Sequence, residues 1–310
     1  MNTFGHQLRL TTFGESHGPA IGGILDGLPA GLAIDMGRIT AALQRRRMGD
    51  SQLEMVTARQ EPDTIEWLSG LLDGMTTGQP LSFIVHNRDV RSHDYDPLRD
   101  VCRPGHADYS WQCRYGVRDW RGGGRASGRE TVARVIAGSV AQQCCEQFWP
   151  KFLIHANVDE QHCVRCNITG VSAGVGCPIF DRLNARLAYA MLSIPSAIGF
   201  EMGAGFAAAT WDASTWRDEW NSNGTTRTNH CGGIQGGVSN GMPISFRVAF
   251  HAPVTEPGKE MKCLDPTHHT LRNVNIEGRH DHDHIYRLPV VVEAMTCLVL
   301  ADLGKMQIDS

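Results

Sequence analysis

Histidine set among glycine and arginine is a pattern through which a protein passes a proton to a phosphate or carboxylate, and this sequence holds it more than once. Gly14-Glu15-Ser16-His17-Gly18 is the first instance. Its Gly-x-Ser-x-Gly form matches the nucleophile elbow of serine hydrolases, which needs a strand before it and a helix after it. The residues that follow, Pro19-Ala20-Ile21-Gly22-Gly23-Ile24, make a poor helix start and a good strand. A serine hydrolase using Ser16 is therefore the lesser alternative. His17, between glycines in a loop, is free to act as an acid, with a merely structural loop histidine as the plain alternative.

Arg103-Pro104-Gly105-His106-Ala107-Asp108 is the second instance, again a histidine in a turn beside an arginine. Tyr115-Gly116-Val117-Arg118-Asp119-Trp120-Arg121-Gly122-Gly123-Gly124-Arg125 follows, then a capped helix carrying Arg129 and Arg134. Three consecutive glycines let backbone N–H groups turn inward, and they lead to a helix N-terminus that favours an anion. Residues 88–134 hold ten Arg and seven Asp/Glu in a chain of net charge −4, so a phosphate cradle is expected there rather than a solvated charged face. Arg45-Arg46-Arg47 sits near a predicted helix C-terminus, where the helix dipole alone accounts for it. In Gly278-Arg279-His280-Asp281-His282-Asp283-His284 the alternate histidines share one face of an extended segment. One strand's histidines do not wrap a metal without ligands from elsewhere, and Cys163-Val164-Arg165-Cys166 has no second such pair, so no metal site is predicted.

The background composition is that of an ordinary globular chain: 310 residues, 41% hydrophobic, 20% charged. Disorder, a collagen-like fibre and a strongly basic nucleic-acid binder are excluded. The chain has 25 Arg against 4 Lys, which fits bidentate recognition of anions as well as a genome rich in Arg codons. Ten scattered Cys and an opening, Met1 to His6, that reads straight into structured sequence predict a reduced, cytoplasmic protein. The apolar run Leu288 to Ala301 is too short to span a bilayer and carries Glu293, so it reads as a buried helix.

These residues need elements to hold them. Ser127-Gly128-Arg129-Glu130 has capping-box form, and Val132, Val135, Ile136 and Val140 follow at helical spacing, which predicts a helix over about 128–147. Further helices are expected over 38–47, 181–193 and 289–303, and strands over 7–12, 20–26, 64–69, 81–86 and 244–250. Gly78-Gln79-Pro80-Leu81-Ser82-Phe83-Ile84-Val85 matches Gly241-Met242-Pro243-Ile244-Ser245-Phe246-Arg247-Val248 at five positions, with Leu/Ile at a sixth. Each is a Gly-x-Pro turn feeding an alternating strand, so two related halves sharing one core are predicted, in an α+β or sandwich-like fold.

Thr11-Thr12-Phe13-Gly14-Glu15-Ser16-His17-Gly18, Arg45-Arg46-Arg47, Arg103 to Asp108, Arg121 to Arg125, Cys231-Gly232-Gly233-Ile234 and Gly278 to Asp281 resemble, in order, the motifs of the chorismate synthase family. The resemblance covers residues 1 to about 150 and about 163 to 303. It implies a single β-α-β sandwich domain of pseudo-twofold halves over 1–310, usually a homotetramer. The activity implied is loss of phosphate from 5-enolpyruvylshikimate 3-phosphate to give chorismate, in aromatic amino acid biosynthesis, with reduced FMN and with NADPH as a candidate reductant. By resemblance, His17 assists phosphate departure, His106 protonates or hydrogen-bonds the flavin near N1, and Asp281 takes the proton from flavin N5. Arg46, Arg129 and Arg279 clamp phosphates, Ser16 supports His17, and Arg125, Ser127, Gly236 and Arg279 fall at FMN-contact positions.

The chain departs from the family pattern mainly on the flavin side. Gln52 stands where a second Arg is usual, and Ala126 replaces a Ser. Pro195-Ser196 replaces Asn-Ala, His251-Ala252-Pro253 replaces Lys-Pro-Thr, and His282-Asp283 follows Asp281 where Pro-Cys is common. Several tens of residues are also absent between Trp149 and Cys163. A diverged, non-catalytic homologue that binds a phosphorylated ligand or FMN is the alternative these changes raise.

Overall fold

The computed structural model describes residues 1–48, 61–255, 258–275 and 283–308. Strands β1 (Thr3–Phe4), β2 (Arg9–Phe13) and β3 (Ala20–Asp26) lead into helix α1 (Met36–Met48). Then come β4 (Ile65–Ser69), the small ladder β5 (Leu71–Leu72) with β6 (Met75–Thr76), β7 (Leu81–His86), α2 (Asp108–Tyr115) and α3 (Thr131–Phe148). The second half holds β8 (Leu153–Val158), β9 (Cys163–Thr169), α4 (Leu183–Leu192), β10 (Ala197–Met202) and α5 (Ala213–Trp216). It continues with the ladder β11 (Ile234–Gln235) and β12 (Val238–Ser239), β13 (Ile244–Phe250), the hairpin β14 (Glu260–Asp265) and β15 (Thr270–Asn275), and α6 (Leu288–Ile308).

Two antiparallel sheets enclose the helices. The first runs β1-β2-β3-β7-β4 and the second β10-β13-β9-β8. Apart from β1, both follow one plan: a hairpin, a helix, an outer strand, then a strand inserted beside the hairpin. The series β2, β3, α1, β4, β7 matches β8, β9, α4, β10, β13, and a long helix, α3 or α6, completes each half. The repeated Gly-x-Pro turns feed the equivalent inserted strands β7 and β13. Their alternation buries Leu81, Phe83 and Val85 in one sheet and Ile244, Phe246 and Val248 in the other. The sequence repeat is thus the trace of a structural twofold.

α3 packs on the first sheet, α4 and α6 on the second, and α3 lies along α6. Their axes approach closely because a Cβ at Gly138 would fall 2.3 Å from the Ala294 Cβ. Every residue of α6 from Leu288 to Gly304 is buried, as a helix apolar on all sides requires. Among the described residues no helix is long and apolar enough to cross a membrane.

Helix boundaries agree with the sequence reading to within a few residues, and α3 begins as a 3-10 turn over Gly128–Glu130. The capping box forms only halfway. Ser127 Oγ accepts the Arg129 N–H at 3.3 Å, but Glu130 does not reach back. Its carboxylate instead accepts from the Thr12 hydroxyl (2.9 Å) and from Arg134 Nε (2.8 Å), because a guanidinium outcompetes a backbone amide.

One buried carboxylate ties the chain's beginning to its last helix. Asp302 on α6 accepts the backbone N–H groups of His6 (3.0 Å), Gln7 (2.6 Å) and Leu8 (2.9 Å) and a bond from Arg186 Nη2 (2.7 Å). Asp302→Ala strands three amides and leaves Arg186 with Asp181 (3.0 Å) as its remaining carboxylate partner, and a loss of about 3 kcal/mol is expected. Urea unfolding checks this as a lower midpoint at an unchanged slope.

Candidate active site

The loop that joins β2 to β3 carries Ser16 and His17, and β3 follows it directly. A strand rather than a helix after Ser16 removes the geometry of a nucleophile elbow. Two ties hold the loop: Ser16 donates its N–H to Gly124 O at 3.2 Å, and Asn87 Nδ2 donates to the carbonyls of Glu15 (3.1 Å) and Gly18 (2.9 Å). The half-buried His17 ring meets Tyr95 edge-on, and its Nδ1 lies 3.1 Å from Ser92 Oγ. Both partners come from a 3-10 turn, Ser92–Leu98, that no motif pointed to.

His106 stands two residues before the start of α2, and its Nδ1 lies 2.9 Å from Asp108 Oδ1. Arg103 grips the same carboxylate through Nε (2.8 Å) and Nη2 (3.1 Å). Burial alone would push the Asp108 carboxyl up, yet the bonds from His106 and Arg103 hold it well below the ordinary carboxylate range.

The glycine triplet brings the two histidines together. Gly122, Gly123 and Gly124 all take positive φ (58°, 78° and 54°), a run open only to glycine. A Cβ on Gly122 would sit 2.5 Å from His17 Cδ2 and Nε2, and one on Gly123 would sit 3.2 Å from His106 Cε1 and Nε2. The expected phosphate cradle is therefore first a spacer: two adjacent glycines let backbone pass between two imidazoles.

A cavity of about 710 Å³ opens beside this turn. Arg46, His106, Gly122, Arg125 and Ser127 line it, as do the unusual residues Ala126, Pro195, Ser196, His251 and Pro253. The lining holds five arginines (Arg46, Arg103, Arg125, Arg134 and Arg287) and one carboxylate, Glu130, so the cavity favours an anion. Arg46 is anchored by bonds to Thr131 Oγ1 (2.9 Å) and Gly128 O (3.1 Å), and Arg125 by bonds to Thr12 Oγ1 (2.7 Å) and Gly14 O (3.3 Å). At the opposite wall Ser196 Oγ lies 2.8 Å from His284 Nε2, with Ser196 at φ 70°.

Other residues singled out in the sequence lie elsewhere. Arg129 is buried behind the lining, bonded to Asp63 and to Asn87 Oδ1 (3.0 Å), and Arg46 shares Asp63 at 3.6 Å. Gly236 lines a separate cavity of about 580 Å³ with Trp216, Trp220 and Cys231. Arg279, Asp281 and Gln52 fall outside the described residues. Cys163 and Cys166 stand three apart on β9 and so face opposite sides of its sheet. Asp63, Ser92 and Asp108 are the side chains the motifs did not assign; of these only Asp108 left a sequence signal, two residues after His106.

A family model described as chorismate synthase matches residues 8–162 and 161–304. The chain belongs to the chorismate synthase family. A chorismate synthase of Christiangramia forsetii is 42% identical over 97% of this chain and 96% of its own length. One of Parabacteroides distasonis is 40% identical over 99% and 98%. A solved crystal structure of a chorismate synthase shares 26% identity at a TM-score of 0.71, covering 97% of this chain and 92% of that one. The alignment to the Christiangramia forsetii enzyme has 345 positions, more than the 310 residues of this chain. The two matched stretches meet in the turn between β8 and β9. There Asp159 Oδ1 accepts the N–H groups of Gln161 and Cys163, both at 3.0 Å, and His162 takes φ 58° to close the hairpin.

The Cys231-Gly232-Gly233 motif is held by Asp218, which accepts the Thr228 hydroxyl (2.6 Å) and the amides of His230 (2.7 Å) and Cys231 (3.0 Å). Burial opposes ionisation, but these donors prevail and lower its carboxyl from 3.8 to about 2. A depressed carboxyl contributes stability that is complete above its unfolded value and lost as pH falls through its folded one. Between pH 4 and 2 the parent is therefore expected to lose more stability than Asp218→Asn, and denaturant unfolding across that window checks it.

Proposed function

We propose that this chain is a lyase that eliminates phosphate from 5-enolpyruvylshikimate 3-phosphate to give chorismate. The observation that carries the reading is the cavity itself: two histidines, one on its wall and one behind Gly122, beside an arc of arginines, in a chain of this family. Both the phosphate and the carboxylates of such a substrate suit that arc.

Two bonds must break in the reaction. A phosphate leaves with negative charge on its bridging oxygen, and an unacidic ring hydrogen leaves from the opposite face. His17 serves the first. That role comes from the family resemblance, and its setting is a ring whose Nδ1 lies 3.1 Å from Ser92 Oγ and whose Nε2 edge borders the space a Gly122 Cβ would fill. Arg46 and its neighbours stabilise the charge that develops there, and they are already fixed in place by Thr131 and Gly128. Arg129, behind them, positions Asp63 and Asn87 and through them the loop of His17.

A side-chain base cannot readily remove the ring hydrogen alone. Reduced FMN, when bound, supplies electron density for that step and is returned unchanged each turnover. The cavity fits such a group: its lining combines the apolar side chains Leu192, Ile194, Val254, Leu288 and Val291 with the arginines. Arg125 and Ser127 would hold it, with Pro195-Ser196 and His251 at the far wall, and His106 would hold or pass a proton at its Nε2. Asp281 and Arg279 enter the proposal by family resemblance, as do NADPH as reductant, a cytoplasmic homotetramer and a single domain over 1–310 shortened between about 150 and 163.

Purified protein given substrate and reduced FMN without oxygen is expected to release phosphate and chorismate in equal amounts. His17→Ala and His106→Ala are each expected to slow this by roughly 10²-fold or more, the scale of losing an acid–base group. A folded parent that binds FMN but releases no product would instead indicate a non-catalytic homologue.

A further inference from the structure

We propose that Asp108 is a positioning residue that holds His106 as the Nδ1–H tautomer, so that Nε2 is the only ring nitrogen that exchanges a proton with a cavity ligand. The inference rests on the reading of that cavity as an active site, and it concerns a residue to which the proposed reaction has so far given no part. It begins from the set of partners around the carboxylate. Oδ1 faces His106 Nδ1 at 2.9 Å and Arg103 Nη2 at 3.1 Å; Oδ2 accepts the Arg103 backbone N–H (3.1 Å) and Nε (2.8 Å). Arg118 Nη1 stands 3.7 Å from Oδ1, while its Nη2 donates to the carbonyls of Leu98 and Val101, both at 2.7 Å.

Every group other than His106 in that set donates only. Guanidinium groups do not deprotonate in proteins, so the charge on Asp108 is compensated without any proton from the imidazole. A carboxylate so held stays ionised and acts only as an acceptor. Were Nδ1 to present a lone pair to Oδ1, two lone pairs would oppose each other at 2.9 Å in a site where Asp108 is 4% exposed. The hydrogen therefore sits on Nδ1.

Arg103 does not compete for that position. Its Nη2 lies 3.0 Å from Nδ1 and 3.1 Å from Nε2 of the same ring. A nitrogen almost equidistant from both ring nitrogens cannot lie along the in-plane lone-pair direction of either, so Arg103 Nη2 sits off the ring plane, over the imidazole. Nε2, whose edge borders Gly123 and whose ring lines the cavity, is left to a ligand. This division of labour fixes which atom of His106 does chemistry before anything binds.

Histidine-selective ¹⁵N labelling with long-range ¹H–¹⁵N spectra reads the tautomer directly, with neither substrate nor flavin, and His106→Gln assigns the signal. The parent is expected to show a protonated Nδ1 and an unprotonated Nε2 when neutral; the reverse overturns the proposal outright. In Asp108→Asn the amide can turn its NH₂ to Nδ1, so the tautomer is expected to reverse. kcat is then expected to fall by roughly 10²-fold with KM little changed, the pattern of a lost proton-transfer group. Asp108→Glu is expected to keep the parent tautomer and recover part of the rate. An unchanged tautomer in Asp108→Asn, or a kcat equal to the parent's, would refute the role. Because the spectra need no turnover, they stay decisive even if the assigned reaction is wrong.

Discussion

A stretch of backbone with no side chains runs between two imidazole rings, and most of the site depends on it. Gly122 abuts His17 more closely than a Cβ would allow, and Gly123 abuts His106 at a distance that leaves a Cβ only a tight contact. Gly124 completes the turn and accepts the Ser16 N–H, which locks the β2–β3 loop onto it. Two histidines from segments far apart in sequence are thereby held at a fixed separation, His106 on the cavity wall and His17 behind Gly122. Positive φ at all three positions is a conformational cost that other residues would bear heavily, and glycine bears it at the expense of unfolded-state entropy.

Around that turn, charge is organised in pairs. Asp63 receives Arg46 and Arg129, Asp108 receives Arg103, and Glu130 receives Arg134 with Arg125 at 3.7 Å. Each carboxylate is nearly buried, so each guanidinium is pinned before a ligand arrives. Pinning matters for chemistry more than for stability, since buried ion pairs roughly cancel their desolvation cost. A pre-set arc of donors does not reorganise when charge develops on a leaving group.

The repeated Gly-x-Pro-strand units carried the architecture in plain view, because an inserted strand buried on alternate residues leaves a strict pattern. The helix after Ser127 was equally legible from its apolar spacing. What spacing could not show was the direction of a side chain. Glu130 has the right place for a capping box but turns to Thr12 and Arg134, partners supplied by the fold. The glycine triplet read as an anion cradle because backbone freedom says nothing of what passes beside it. Asp63, Ser92 and Asp108 look like surface polar residues in a charged stretch, and only tertiary contacts make them the fixers of Arg129, His17 and His106. One flavin-side departure also has a physical setting: Ser196 Oγ meets Nε2 of His284, the last histidine of the alternating cluster, and both residues line the cavity.

Whether the glycine turn works through the histidine it abuts is measurable by a double-mutant cycle on turnover. Gly122→Ala pushes a Cβ into the His17 ring, and a displacement of that order costs roughly 10²-fold in a catalysed reaction. In a His17→Ala background the same Cβ meets no ring, so Gly122→Ala is expected to cost much less, with only the strain of its positive φ common to both backgrounds. Equal losses in both backgrounds would contradict the account, because the glycine would then act on the fold rather than on the histidine.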